Sequence, residues 1–479
     1  MIKKFIRRVF RLGPRGGPEV IPVAKHGIRR EGISRGAQRT CETLQQAGHQ
    51  AYVVGGAVRD LMLGVKPKDF DVATDATPDE VHRLFRRSRL IGRRFKIVHV
   101  LFGDETVEVS TFRAQTVAEP PAEDAPDEHP SPAPRSRAAL RDKDHAVDEH
   151  GRVLRDNVFG TREQDAARRD FTLNAMYYDP TTENVLDFHR GMRDVAKKSV
   201  RMIGDPAGRY REDPIRMLRA VRFAAKLGFS IEAGTRAPIR ELAPLIGNVP
   251  PSRLFEEMQK LLMSGHAVQA VKRLRAEGLQ HGLLPLLDVI LEQPLGERFV
   301  MGALAQTDER VQQGKRVSPA FLFAALLWHE VLAAARAEEA RGATPLAAIH
   351  AAMDSVIAVQ TGMIAIPRRF TAMMKEIWIL QPRFEQRSGR RPFSLLANER
   401  FRAGFDFMVL RAASGEVPQE LAHWWEKFQF ANADEQQAML VAPQAGDPAK
   451  RKRRRRRKPG GPDRADAGSA AGAPDAGGD

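Results

Sequence analysis

Gly55-Gly56, at the end of the apolar run Tyr52-Val53-Val54, and Asp69-Phe70-Asp71, a short stretch further on, are the residues of this chain best suited to chemistry. A glycine pair beside a helix start offers backbone N–H groups to phosphate oxygens. A strand places residues i and i+2 on one face. Asp69 and Asp71 therefore converge on one point, while Phe70 and Val72 face the core. Paired carboxylates hold hard divalent cations such as Mg²⁺. A phosphate cradle joined to a metal-binding pair implies nucleotidyl transfer from a nucleoside triphosphate. Arg59, on the helix after the glycines, is within reach of a triphosphate; the plainer alternative is a surface salt bridge.

A third carboxylate completes such a site. In Thr106-Val-Glu-Val-Ser-Thr-Phe-Arg113 the valines point one way and Glu108 and Ser110 the other, so a neighbouring strand sets Glu108 beside the aspartates. Asp104 and Glu105 are the alternatives. Three clustered carboxylates repel one another unless cations lie between them. Two Mg²⁺ ions fit that need: one lowers the pKa of an attacking 3′-hydroxyl, the other binds the triphosphate and the leaving pyrophosphate.

The elements that must position these groups read as α/β over residues 36–115. The order is a helix (Gly36–Ala47), a strand (Ala51–Val54), a helix (Ala57–Leu63), a strand (Asp69–Ala73), a helix opened by Thr77-Pro78 and running to Phe85, and strands at Ile97–Phe102 and Thr106–Thr111. Residues 1–35 read as a basic arm. From Val117 to about Asp148, Pro, Ala, Asp, Glu and Arg replace apolar periodicity, the signature of a disordered insertion. Asp170–Tyr178 reads as a helix, or a helix followed by a strand, and from Pro214 onward the pattern is helical. The expected fold class is α+β. It comprises a head over 36–185, neck helices over 186–275, a helical body over 276–440 and a disordered Arg-rich tail over 441–479.

The chain has 479 residues and a net charge of +16, which favours a polyanionic partner. The nine-residue basic run Lys450–Lys458, with Arg453, Arg454 and Arg455 at its centre, carries about half of that charge. It is read as a disordered segment contacting RNA phosphates; a solubility tail is the alternative. Cys41 is the only cysteine, which rules out an internal disulfide framework and fits a reducing cytoplasm. No run reaches the roughly 18–20 apolar residues of a membrane span, and Phe321–Trp328 reads as a buried helix. Residues 1–12 alternate apolar and basic positions at helical spacing. They read as a basic arm, with contact to a membrane surface as the second possibility. His329-Glu330 lacks the second histidine of a zinc-protease helix, Asp144-His145 falls in the insertion, and there is no P-loop lysine motif.

The Gly-Gly and Asp-x-Asp pattern, Arg168-Arg169-Asp170-Phe171-Thr172-Leu173-Asn174-Ala175, and Arg211-Glu212-Asp213-Pro214-Ile215-Arg216-Met217-Leu218-Arg219 together resemble the motifs of class II nucleotidyltransferases. That class contains bacterial poly(A) polymerases and tRNA CCA-adding enzymes. Leu90–Val100, which includes Arg93, Arg94 and Lys96, resembles the segment marking the poly(A) polymerase branch. The resemblance runs from about Gly36 to Phe430, excluding the insertion.

It implies template-independent addition of AMP from ATP to RNA 3′ ends, with Mg²⁺. It also implies that tailed RNA passes to decay enzymes. Asp213, Arg216 and Arg219, at i, i+3 and i+6 of a helix, would select the base. A carboxylate can accept from adenine's amine while a guanidinium donates to a ring nitrogen. Arg169, Asp170 and Asn174 would lie near the sugar and phosphates; which of them meets the ribose is left open. Arg93, Arg94 and Lys96 would lie near the triphosphate, or form a basic stripe facing RNA. A monomer is expected. CCA addition to tRNA and a catalytically idle RNA-binding protein are the competing functions.

Overall fold

The computed structural model describes residues 17–92, 96–114, 145–147, 153–156, 159–279 and 294–442. Its strands are β1 (Glu19–Ile21), β2 (Ala51–Val54), β3 (Asp71–Thr74), β4 (Ser88–Ile91), β5 (Ile97–Phe102), β6 (Glu105–Thr111), β7 (His145–Val147), β8 (Val153–Asp156), β9 (Met176–Tyr178) and β10 (Val185–Asp187), with a short parallel pair, Ser199–Val200 and Ser230–Ile231, apart from these. Eight of them form one sheet in the order β1-β10-β9-β2-β3-β6-β5-β4, and β7 pairs with β8 in a separate hairpin. Within the large sheet only β3 and β6 run parallel. A parallel pair needs a crossover, supplied here by helix Pro78–Leu84 and the β4–β5 hairpin. That helix starts as its sequence demands, with a Thr77–Glu80 capping box and proline in the first turn. The β5–β6 turn has two central residues, and Gly103 takes φ +57° there.

One face of the sheet makes the core. Val53, Val72, Val98, Val100, Val107 and Val109 are all at most 1% exposed and belong to one cluster with Ala37, Cys41 and Leu44 of helix Arg35–Gln46. Each such side chain contributes about 1.5–3 kcal/mol through burial. On the other face a smaller cluster of Tyr52, Val54, Ala73, Phe112, Ala166 and Tyr177 sits over the central strands. Asp71, Glu108 and Arg89, further along the sheet, are exposed.

The helical part follows the sheet without a break in the core. Helices Ile215–Leu227, Pro251–Leu262 and Ala267–Glu277 continue the main cluster into Pro294–Gln312, Pro319–Ala340 and Pro345–Met363. A second cluster, built on Phe384, Phe405, Trp425 and Phe428, closes the C-terminal end of the described chain.

Three expectations change. Residues 17–35 are folded rather than an arm: β1 extends the sheet, Ile21, Ile28 and Ile33 are buried, and the His26 ring bonds the Glu183 carbonyl at 3.0 Å. The apolar positions were too few for periodicity to show this. The last residues of the expected insertion form β7, so His145 lies in a strand, not a disordered segment. Residues 170–178 follow the second of their two readings, a single 3-10 turn at Thr172–Asn174 followed by β9. Finally, helices Pro319–Ala340 and Pro345–Met363 are long and apolar enough to span a membrane by length and composition. The first is nevertheless a core helix. Leu322 through Trp328 are buried, and the Trp378 indole donates to its Ala324 carbonyl at 3.0 Å.

Candidate active site

The sheet register places the acidic residues in one row. Tyr177 of β9 pairs with Val54 of β2, Val54 with Asp71 of β3, Asp71 with Glu108 of β6, Glu108 with His99 of β5, and His99 with Arg89 of β4. Registered partners point to the same side, so these six side chains share the face opposite the valine core. The register therefore sets Glu108 beside Asp71, whereas Glu105 accepts from the Gly36 amide at 3.2 Å. Asp69 precedes β3, outside the strand. The alternation still holds, because Asp69 and Asp71 are exposed while Phe70 and Val72 are buried.

Although Asp71 is exposed on one side, desolvation by the atoms packed around its carboxyl pushes it up to about 6; Glu108 and Asp69 push it the same way, and Arg169 opposes them. That like-charge strain is what a bound cation relieves. Among the described residues no three His, Cys, Asp or Glu side chains already form a compact ligand set. The carboxylate donors nonetheless fit a hard divalent cation in kind: all-oxygen, anionic, and destabilised by one another.

Gly55 sits above the row at φ +75°, a conformation that favours glycine. A Cβ there would lie 3.6 Å from Arg169 Nη1 and 3.8 Å from Asp71 Oδ2. The glycine thus keeps open the space between a guanidinium and the acidic row. Arg169 is fixed from behind. Its Nε donates to the Tyr177 hydroxyl at 3.0 Å, its Nη2 to Asp165 Oδ2 at 3.1 Å, and its Nη1 to the Asn174 carbonyl at 3.3 Å. The Tyr177 hydroxyl donates to Asp165 at 2.7 Å. Burial alone would raise the Asp165 carboxyl, but Arg169, Arg168 and Tyr177 outweigh it and hold the group below its ordinary value.

Behind this lies a second polar chain. Arg59 is 2% exposed, so it is neither a surface salt bridge nor open to a triphosphate; the helix turns it under the glycines. It donates to Asp60 at 2.7 Å and to the Asn174 side-chain oxygen at 2.7 Å. Asn174 donates in turn to Asp170 at 3.2 Å, and Arg219 donates to Asp170 at 2.7 Å. Arg59, Arg219 and Arg222 also lie over the Phe223 ring, Arg222 at 4.4 Å. Burial opposes the Asp170 charge, yet Arg219 and Asn174 keep its carboxyl low.

Asp213, Arg216 and Arg219, expected to select the base, do not share one helical face. Pro214 lacks an N–H and pushes the preceding residue out of the helical region. Asp213 accordingly adopts φ −148°, ψ 94° between helices Pro206–Glu212 and Ile215–Leu227. Arg253 grips its carboxylate through both Nη atoms, at 3.2 and 2.9 Å. Arg216 donates to Glu212 and to the Arg209 carbonyl, both at 2.8 Å. Arg219 faces Asp170 instead. Lys96 is exposed, and its carbonyl accepts from Arg113 at 3.1 Å. Arg93, Arg94, Arg453, Arg454 and Arg455 lie outside the described residues.

Several supporting residues escaped sequence reasoning. Asp165 was findable, because it stands three and four residues before Arg168 and Arg169 on a capped helix. Arg209, whose Nη2 donates to the Arg168 and Arg169 carbonyls at 2.6 and 2.7 Å, had no local signal. Nor had Glu257, 4% exposed and paired with Arg222, nor Arg253. Their partners lie 35 to 41 residues away.

Comparison with known proteins gives three consecutive family matches. These are a poly A polymerase head domain over residues 51–201, a probable RNA and SrmB-binding site of polymerase A over 228–291, and a polymerase A arginine-rich C-terminus over 341–459. The chain is 42% identical over 441 residues to poly(A) polymerase I of Haemophilus influenzae, covering 91% of this chain and 93% of the relative. A CCA-adding enzyme of Bacillus velezensis is 37% identical over 267 residues, covering 56% of this chain and 60% of the relative. The crystal structure of the Bacillus stearothermophilus CCA-adding enzyme in complex with CTP shares the fold. It has a TM-score of 0.53 at 24% identity, covering 82% of this chain and 81% of that one.

Proposed function

The chain belongs to the poly(A) polymerase family, and we propose that it carries out template-independent transfer of AMP from ATP to RNA 3′ ends at the row formed by Asp71 and Glu108, with Asp69 beside it. The observation carrying this reading is the register that sets Asp71 against Glu108, directly beneath the Gly55 opening and Arg169. The substrate is ATP, and two Mg²⁺ ions held by Asp69, Asp71 and Glu108 would activate the 3′-hydroxyl and neutralise the leaving pyrophosphate.

The chain's own residues do the positioning. Gly55 and Gly56 leave room for phosphate oxygens against backbone N–H groups at the start of helix Gly56–Met62. Arg169, fixed by Asp165 and Tyr177, presents a preorganised cation to the triphosphate. Asp170 and Asn174 brace that side of the pocket through Arg219 and Arg59. Asp213 and Arg216 read adenine. Each carboxylate oxygen has two acceptor sites, so Asp213 can accept from the amine while Arg253 holds it. Arg219, committed to Asp170, supports them from behind. The enzyme acts in the cytoplasm as a monomer on RNA, and its tailed products pass to decay enzymes.

A matrix of the four nucleoside triphosphates against unstructured RNA and a tRNA lacking CCA tests this reading. ATP should give a homopolymer ladder on unstructured RNA. CTP incorporation restricted to the trimmed tRNA, with no ladder from ATP, would favour CCA addition instead.

A further inference from the structure

The row does not stop at the carboxylates. Beyond Glu108 it continues with His99 of β5 and Arg89 of β4, the edge strand. His99 Nε2 lies 3.9 Å from Glu108 Oε2, and Arg89 is exposed. Neighbouring strands lie roughly 4.8 Å apart. His99 and Arg89 therefore stand about 5 and 10 Å past Glu108, on the same face as the acidic centre.

The two ends of the row differ in kind. On the β2–β9 side are the Gly55 opening and the guanidinium of Arg169, the groups suited to a triphosphate. In an in-line displacement the attacking oxygen and the leaving oxygen lie on opposite sides of the phosphorus. With the triphosphate on the Gly55 side, the attacking 3′-hydroxyl arrives from the opposite side, over Glu108, His99 and Arg89. The strand carrying that hydroxyl brings phosphodiesters toward a carboxylate-rich surface, so its approach requires cations or donors. His99 and Arg89 are the donors that the register supplies there.

We propose that the β4–β5 edge is the landing track for the RNA 3′ end, with Arg89 contacting a backbone phosphate of the terminal nucleotides and His99 donating to the last phosphodiester or ribose beside Glu108. This rests on the reading of Asp71 and Glu108 as the reaction centre. It also bears on the segment Leu90–Val100, whose basic residues were expected near the triphosphate or as a stripe facing RNA: its described parts, Leu90–Ile91 in β4 and Ile97–Val100 in β5, belong to this edge.

The test uses the full-length chain. Binding of an unstructured RNA ending in 3′-deoxyadenosine is measured by fluorescence anisotropy, and KM is measured separately for RNA and ATP. Arg89→Ala should weaken RNA binding and raise the RNA KM about tenfold while leaving the ATP KM unchanged. The slope of log affinity against log salt should fall by roughly 0.7 for one lost phosphate contact on a single strand. Arg89→Lys should recover most of the affinity. His99→Ala should lower kcat/KM for RNA but not ATP affinity, with partial recovery in His99→Gln. An increase in ATP KM with RNA affinity intact, or no change in either, would overturn the proposal. Absence of any AMP addition by the unaltered chain would instead defeat the assignment of the reaction itself.

Discussion

Replacing Asp71 by asparagine should abolish AMP transfer and, at the same time, stabilise the metal-free protein. Burial and the neighbouring Glu108 lift the Asp71 carboxyl from 3.8 to about 6. A carboxyl whose folded pKa lies above its unfolded value gives stability that is complete below about pH 4 and is lost as pH rises through about 6. At pH 8 the ionised side chain therefore works against folding. At about 1.4 kcal/mol per pH unit the penalty approaches 3 kcal/mol for a fully buried group. Asp71 is open to solvent, and screening lowers the figure to about 1 kcal/mol. Asparagine keeps the shape without the charge, so in chelator at pH 8 its melting point should exceed that of the native chain by about 1 °C. The gain should vanish near pH 4, where the native carboxyl is protonated. Added Mg²⁺ should raise the native melting point and leave the variant nearly unmoved. Differential scanning fluorimetry from pH 4 to 8, with and without Mg²⁺, reads all three effects. A variant less stable than native at pH 8 in chelator, or a gain independent of pH, would refute the electrostatic reasoning.

Other consequences follow from the supports around the row. Tyr177→Phe keeps the ring but removes the hydroxyl between Arg169 and Asp165; loss of that charge-assisted bond, about 1.5–3 kcal/mol, should lower kcat/KM for ATP about tenfold or more with circular dichroism unchanged. Gly55→Ala must hold φ +75°, ψ −134°, a sparsely populated conformation costing about 1–3 kcal/mol, and crowds the space beside Arg169, so the ATP KM should rise well above any change in RNA KM. Glu257→Gln leaves the Arg222 guanidinium without its buried counter-charge, while Arg219 keeps Asp170; urea denaturation should show a loss of about 3 kcal/mol. Deleting residues 449–479, which removes the nine-residue basic run, should weaken RNA binding and flatten its salt dependence while sparing single-nucleotide addition to a short primer; equal loss on every substrate would contradict a tethering role.

The head was legible because its signals are local. The Ala51–Val54 and Ile97–Phe102 strands match their expected bounds, and Thr77-Pro78 starts its helix as read. Period-two alternation was enough to place Glu108 on the face of Asp71, since a strand's facing residues are fixed by its pleat. What stayed hidden depends on long-range pairing. The β1 strand is short and becomes ordered only by adding to β10. Arg59 looked like a triphosphate ligand because sequence spacing gives its helix but not the helix's rotation; packing turns the side chain down onto Asn174 and Phe223. Asp213, Arg216 and Arg219 looked coaxial, and Pro214 breaks that geometry. Salt bridges that span dozens of residues, such as Arg253 with Asp213, leave no periodic trace in one sequence.

The most direct test of the reaction centre is single-turnover AMP incorporation from ATP by alanine variants of Asp69, Asp71 and Glu108 beside Asp104→Ala and Glu105→Ala, all with saturating RNA and Mg²⁺. The first three should each lose at least about 10³-fold, roughly 4 kcal/mol of transition-state stabilisation, while the turn variants stay within a few-fold of the native rate. Retained activity in Glu108→Ala with loss in Asp104→Ala or Glu105→Ala would contradict the row that the sheet register defines.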